Sequence, residues 1–241
     1  WLQKRPILPA IGAIGLIVLL AIPAFSLRQG FTDNSGRPEG SPARIAYDLR
    51  AEGFGPGASG PYLVVVDLSE STDPNAYAQI VTTLNETPGV AGTNPSPETL
   101  PVIAKIAQAA PQEAANPIQV MAVYATTAPQ DAATSELLTT LREDVNPALE
   151  QATGATILVG GTAAITADFT TVLADALPIF LMVVVGLGFL ALVVLFRSLL
   201  VPFIGAVTSM FSLAAAMGIS VAVFQWGWFN SILGVPGTGP I

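Results

Sequence analysis

The sequence predicts an α+β membrane protein: three transmembrane helices with a folded split β-α-β domain between the first two. Three observations carry this. Hydrophobic residues make up 51% of the 241 and charged residues only 11%, against roughly 25% charged in a soluble domain. The charge is segregated. All 17 acidic residues lie between Asp33 and Asp175, while 1–27 and 176–241 hold no acid and only Lys4, Arg5 and Arg197 as bases. The acidic middle also alternates short β-branched runs with amphipathic segments.

The first flank, "PILPAIGAIGLIVLLAIPAFSL" (6–27), has no charge in twenty-two residues, enough to cross a hydrocarbon core of about 30 Å. A secretory signal is the rival reading, with Lys4-Arg5 as its basic region. The run is long for a signal core, and Ala24-Phe25-Ser26 is a poor small-residue cleavage site. The second span is "ALPIFLMVVVGLGFLALVVLF" (176–196). The third is "LLVPFIGAVTSMFSLAAAMGISVAVF" (199–224), after a tight hairpin at Arg197-Ser198. Gly186, Gly188, Gly205 and Gly218, with Ala206 and Ala214–Ala216, are small enough to let helix backbones approach in lipid. Glycine is also simply common in membrane helices, and both readings stand. Bases in short loops mark the cytoplasmic side, here Lys4, Arg5 and Arg197. Residues 28–175 and 225–241 are then expected outside the cytoplasm. Arg28 after the first span, and Trp226 and Trp228 after the third, suit the membrane interface.

In the middle region, "SPARIAYDLRAEGFGPG" (41–57) predicts a short helix ended by a Gly/Pro turn. "PYLVVVDL" (61–68) is a buried strand bounded by Gly60-Pro61 and Ser69. "DPNAYAQIVTTLNE" (73–86) is a helix starting at Asp73-Pro74, with Tyr77, Ile80, Val81 and Leu84 at helical spacing. "GVAGTNP" (89–95) and "PIQVMAVYATT" (117–127) are strands. Residues 131–152 form a helix with Leu137, Leu138, Leu141, Val145 and Leu149 on one face, and "ATILVGG" (155–161) is the last strand. The order β-α-β-β-α-β is the split, ferredoxin-like arrangement: an antiparallel sheet backed by two helices. No breaker stands between 162 and Pro178, so one helix is expected to run from the domain into the second span and join the two rigidly.

The composition excludes several chemistries. There is no Cys and no His, so disulfides, thiolate or imidazole catalysis and Cys/His zinc sites are out. Only oxygen ligands remain for a metal, and no metal or other cofactor is predicted. A net charge of −8 argues against nucleic acid as a partner. The three spans contain no ionisable residue, and intramembrane ionisable groups are what mark a proton relay. Asp168 and Asp175 stand seven residues apart on the helix entering the membrane, about two turns, and so point the same way. They are either contacts for a substrate head group or a neighbouring repeat, or solvated carboxylates above the lipid. Gly160 and Gly161, in "VGGTA", either present backbone amides to an anion or form a tight strand-to-helix turn. Gly53, Gly55 and Gly57 lack the Lys-Ser/Thr of a phosphate loop. Lys105 has no Ser three residues before it. No catalytic constellation appears, so an enzyme is not expected.

Four stretches together resemble the MMPL transporters of the resistance-nodulation-division superfamily: "AYDLRAEGFGPGASGPYLVVVDL" (46–68), "VGGTAAITADF" (159–169), "FRSLLVP" (196–202) and "FQWGWFNSILGVPGTGPI" (224–241). The resemblance covers essentially the whole chain and looks like the family's second repeat. It implies that 1–27 corresponds to the seventh helix, 28–175 to the second porter domain, 176–198 to the eighth helix and 199–224 to the ninth. The family's Asp-Tyr coupling pairs, on its fourth and tenth helices, match no residue here. The resemblance implies part of a proton-motive-force-driven exporter of lipids or other hydrophobic molecules. The lipid bilayer, a hydrophobic substrate and the remaining repeat and helices are its expected partners, and the plasma (inner) membrane its location. Residues 225–241 are expected to be a loop cut short before a fourth span. The alternative is a permease-like or regulatory subunit of an ABC complex, which also places an external domain after a first helix. A membrane-tethered binding domain is a third, weaker fit to three spans.

Overall fold

The computed structural model describes residues 7–28, 30, 33–102, 105 and 117–229. It divides into two compact units, one of Trp1–Glu39 with Phe169–Ile241, the other Gly40–Asp168.

In the first unit, α1 spans Ile7–Ala21 and passes into a 3₁₀ segment, Ile22–Ser26. The switch follows from Pro23, which has no N–H to continue the α-helical ladder. At about 1.5 Å per α residue and about 2 Å per 3₁₀ residue, the two pieces together reach about 32 Å, one hydrocarbon core. Helix α6 spans Thr162–Phe196 without a break, with Pro178 inside it, and α7 spans Leu200–Phe224. Among the described residues, these are the three helices long and apolar enough to cross a membrane. At 35 residues α6 is about 52 Å long, well beyond the hydrocarbon core. Its charge-free stretch, 176–196, is the part suited to lipid. Between α6 and α7, Arg197 adopts φ 49° and its N–H still bonds Val193 O at 2.8 Å. Leu199 caps α7, so the connection is one residue longer than the sequence suggests.

The second unit is a sheet covered by helices on one face. Helix α2 (Pro42–Phe54) starts at Ser41, whose Oγ accepts from Arg44 N–H, and ends at Gly55. Strands are β1 (Tyr62–Asp67), β2 (Val90–Asn94), β3 (Ile118–Ala125) and β4 (Thr156–Gly160). Their spatial order is β2-β3-β1-β4, with each neighbouring pair antiparallel. Tyr62, Val64 and Val66 of β1, Met121 and Val123 of β3 and Ile157 of β4 alternate onto the buried face. They meet Ile80, Val81 and Leu84 of α3 (Ala76–Glu86) and Leu137, Leu138, Leu141 and Leu149 from the second helical segment. Leu63, Val120 and Leu158 stand on the open face.

Two helices differ from their expected form. Asp73-Pro74 lies outside α3 because Asp73 Oδ1 accepts from Asn75 N–H at 2.8 Å, closing a turn ahead of the helix. The segment expected as one helix over 131–152 is α4 (Ala132–Thr140), a π turn (Leu141–Val145) and α5 (Asn146–Thr153). Pro147 supplies a cause: it has no N–H for an i−4 bond, and its ring crowds the carbonyl of Glu143.

Candidate functional site

The π turn carries Arg142 to α6. Its Nη1 lies 2.5 Å from Asp168 Oδ1 and its Nη2 3.0 Å from Oδ2, a two-pronged pair. Nη2 also donates to Val159 O on β4 at 2.9 Å. One guanidinium thus joins the π turn, an edge strand and the start of α6. The hydrogen bond from Arg142 holds the Asp168 carboxyl below the usual carboxylate range, against a smaller opposing effect of burial. The same bond raises Arg142. Nearby, burial pushes the Tyr62 hydroxyl up to about 12, slightly eased by the Arg142 charge. That hydroxyl donates to Thr134 O at 2.6 Å, fixing α4 over the sheet.

Asp168 is therefore no freely solvated face residue. Asp175, two turns further along α6, is exposed; the structure does not bring it to Arg142. Gly160 ends β4, paired with Leu63. Gly161 has φ +96°, and a Cβ there would sit 2.9 Å from Leu63 N and 3.0 Å from Pro61 O. That close approach requires glycine, so the tight-turn reading accounts for Gly161 without a ligand.

In the first unit, α1 and α7 pack directly. A Cβ on Gly218 would fall 2.0 Å from Leu20 O. Ala21, Pro23, Ala215, Val221 and Ala222 are buried around this contact. Among the described residues, nothing lies within 4 Å of a Cβ built on Gly186, Gly188 or Gly205. Just beyond the contact, Gln225 clasps the backbone of Arg28: its Nε2 donates to Arg28 O at 2.7 Å, and its Oε1 accepts from Arg28 N–H at 3.3 Å. Trp226 and Trp228 follow, half-exposed, their rings 5.9 Å apart and tilted by 60°. Val221 O and Ala222 O accept from their backbone N–H groups. From residue 230 onward, the loop expected over 225–241 lies outside the described residues.

Sequence reasoning missed Arg142 and Gln225. For Arg142 a signal existed: it is the only base between Lys105 and Arg197, in a stretch rich in acids. Gln225 offered none, being one polar residue at a helix end.

The model of the MMPL family matches residues 36–231. Membrane protein YdfJ of Bacillus subtilis is 32% identical over 241 residues, all of this chain and 31% of YdfJ. The mycolic acid-containing lipids exporter MmpL11 of Mycolicibacterium smegmatis is 30% identical over 243 residues, 97% of this chain and 23% of that protein. The heme uptake protein MmpL11 of Mycobacterium tuberculosis is 29% identical, over 98% of this chain and 23% of its own length. The chain thus spans a third or less of these relatives. With a match across more than three-quarters of its residues, the chain belongs to the MMPL family.

Proposed function

We propose that this chain is part of a proton-motive-force-driven exporter of lipids or other hydrophobic molecules. The observation that carries the reading is the family match across 36–231. The three apolar helices support it, as does the name of the M. smegmatis relative as an exporter of mycolic acid-containing lipids. The heme uptake name of the M. tuberculosis relative fits a path for large apolar cargo. The ABC-subunit alternative draws no support from the match.

On this proposal the sheet unit is a ferredoxin-like porter domain facing out of the cytoplasm, within residues 28–175. The strand order β2-β3-β1-β4 with antiparallel neighbours supports that form. Asp168 acts through Arg142 at the head of α6, and Asp175 contacts a head group or a neighbouring repeat. Gly160 and Gly161 shape the turn between β4 and α6. Arg28, Trp226 and Trp228 hold the helix ends at the lipid–water interface.

The test uses the complete transporter containing this segment, reconstituted in liposomes with a fluorescent fatty acyl lipid. An imposed proton gradient should drive lipid movement, and a protonophore should abolish it. Movement that ignores the gradient but follows ATP hydrolysis by an associated subunit would overturn the proposal.

A further inference from the structure

Between the π-turn helix and edge strand β4 lies a cleft of about 310 Å³, lined by Arg142, Asn146, Pro147, Glu150 and β4 residues 157–159. It stands at the small end of the roughly 300–1,000 Å³ range of ligand pockets. Arg142, Asn146 and Glu150 repeat every four residues along one helical face. The outer two are engaged. Arg142 is spent on Asp168 and Val159 O, and Glu150 Oε1 accepts from Ile157 N–H at 2.7 Å. The middle one is not. Asn146 is 4% exposed, and its Oδ1 is buried with no hydrogen-bond partner among the described residues. A buried carbonyl-type oxygen without a partner is a standing cost that native proteins rarely keep without a reason. It also follows directly on a π turn, a feature frequent at functional sites.

We propose that this cleft binds an ammonium group, carried by a small amine or by a lipid head group. Two observations set the chemistry. The unmet group is an acceptor, and the second oxygen of Glu150 is a further acceptor, so the ligand must donate. The charge balance is negative: of the lining residues Glu150 is the one acid and Arg142 the one base, and the Arg142 charge is already answered by Asp168. A primary ammonium offers three donors and no acceptor. Asn146 lines the cleft, and its carboxamide torsion is broad. Pro147 and the exposed Leu158 give an apolar wall for the carbon next to the nitrogen. The site is independent of the transport reading above.

The experiment titrates ethanolamine into the whole chain in phosphatidylcholine nanodiscs and follows the ¹⁵N-labelled carboxamide of Asn146. A saturable shift is expected with ethanolamine. None is expected with glycerol, which is uncharged, or with tetramethylammonium, which has no N–H. Asn146→Leu and Glu150→Gln, read by calorimetry, should each weaken ethanolamine binding about tenfold or more, a difference of about 1.4 kcal/mol. Asn146→Leu should melt no lower than the parent chain, because it removes an unpaired polar group. Nanodiscs made with phosphatidylethanolamine identify the source: competition with added ethanolamine names the lipid head group, and absence of competition names a soluble amine, either upholding the site. No saturable shift, equal response to tetramethylammonium, or undiminished binding in both variants overturns the proposal.

Discussion

Gly218→Ala tests the packing of α1 on α7. The added Cβ would sit 2.0 Å from Leu20 O, and ordinary contact begins at 3.4 Å, so the helices must part by about 1.4 Å. No side-chain rotation relieves this, because the obstacle is backbone. A gap of 0.5–1 Å already forfeits about a quarter to a half of the dispersion energy of each contact. The contacts exposed to that loss are those of Ala21, Pro23, Ala215, Val221 and Ala222. Overpacking of this kind costs about 1–3 kcal/mol. Alanine's better helix propensity offsets about 1 kcal/mol, and a backbone obstacle belongs at the upper end of the cost. The net expectation is a loss of about 1–2 kcal/mol. Gly205→Ala is the control, since its Cβ meets nothing within 4 Å; it should be neutral or stabilising by up to about 1 kcal/mol. The assay is unfolding of the chain in mixed micelles by dodecyl sulfate, followed by the fluorescence of Trp226 and Trp228. Gly218→Ala as stable as the parent, or no less stable than Gly205→Ala, would refute the close-approach reasoning.

Three further outcomes are expected in the sheet unit. A double-mutant cycle of Arg142→Ala and Asp168→Ala should give a coupling of about 0.5–1 kcal/mol by thermal unfolding, the upper range for a partly exposed pair. Because Asp168 is depressed in the folded state, its contribution is present above the ordinary carboxylate pKa of about 3.9 and is lost as pH falls through the lower folded value. The stability gap between parent and Asp168→Asn should therefore be flat from about pH 8 to pH 5 and close under stronger acid; a gap that widens on acidification contradicts the ion pair. Gly161→Ala forces a left-handed φ on alanine and a contact with Leu63 N, and should destabilise by about 1–3 kcal/mol in denaturant titration.

Much of the architecture was legible because it rests on periodicity. Ile80, Val81 and Leu84 recur at helical spacing and were readable from the chain alone, whereas β1 was readable as a buried strand but not as one that alternates, with Val64 and Val66 inward and Leu63 exposed. The spans were legible because lipid permits no charge, and 176–196 and 199–224 have one only at their junction. What stayed hidden depends on a second partner. Arg142 and Asp168 are 26 residues apart and meet only after β4 returns to the sheet edge. Gly186, Gly188, Gly205 and Gly218 look alike in sequence, yet only Gly218 has another helix pressed against it. The π turn escaped because Leu137, Leu138, Leu141 and Leu149 satisfy the pattern of an uninterrupted helix.

The side chains that flank β4 also settle how the sheet ends. An outer strand normally presents a row of unpaired backbone groups that recruit a foreign strand. Here Glu150 occupies the outward N–H of Ile157 and Arg142 the outward carbonyl of Val159. At the opposite margin, β2 loses register with β3 between Val90 and Gly92, an irregularity that spoils a template for pairing. Each margin thus carries a feature that hinders growth. That matters for a sheet whose open face exposes Leu63, Val120 and Leu158, since strand-on-strand pairing with a neighbour is disfavoured at either edge.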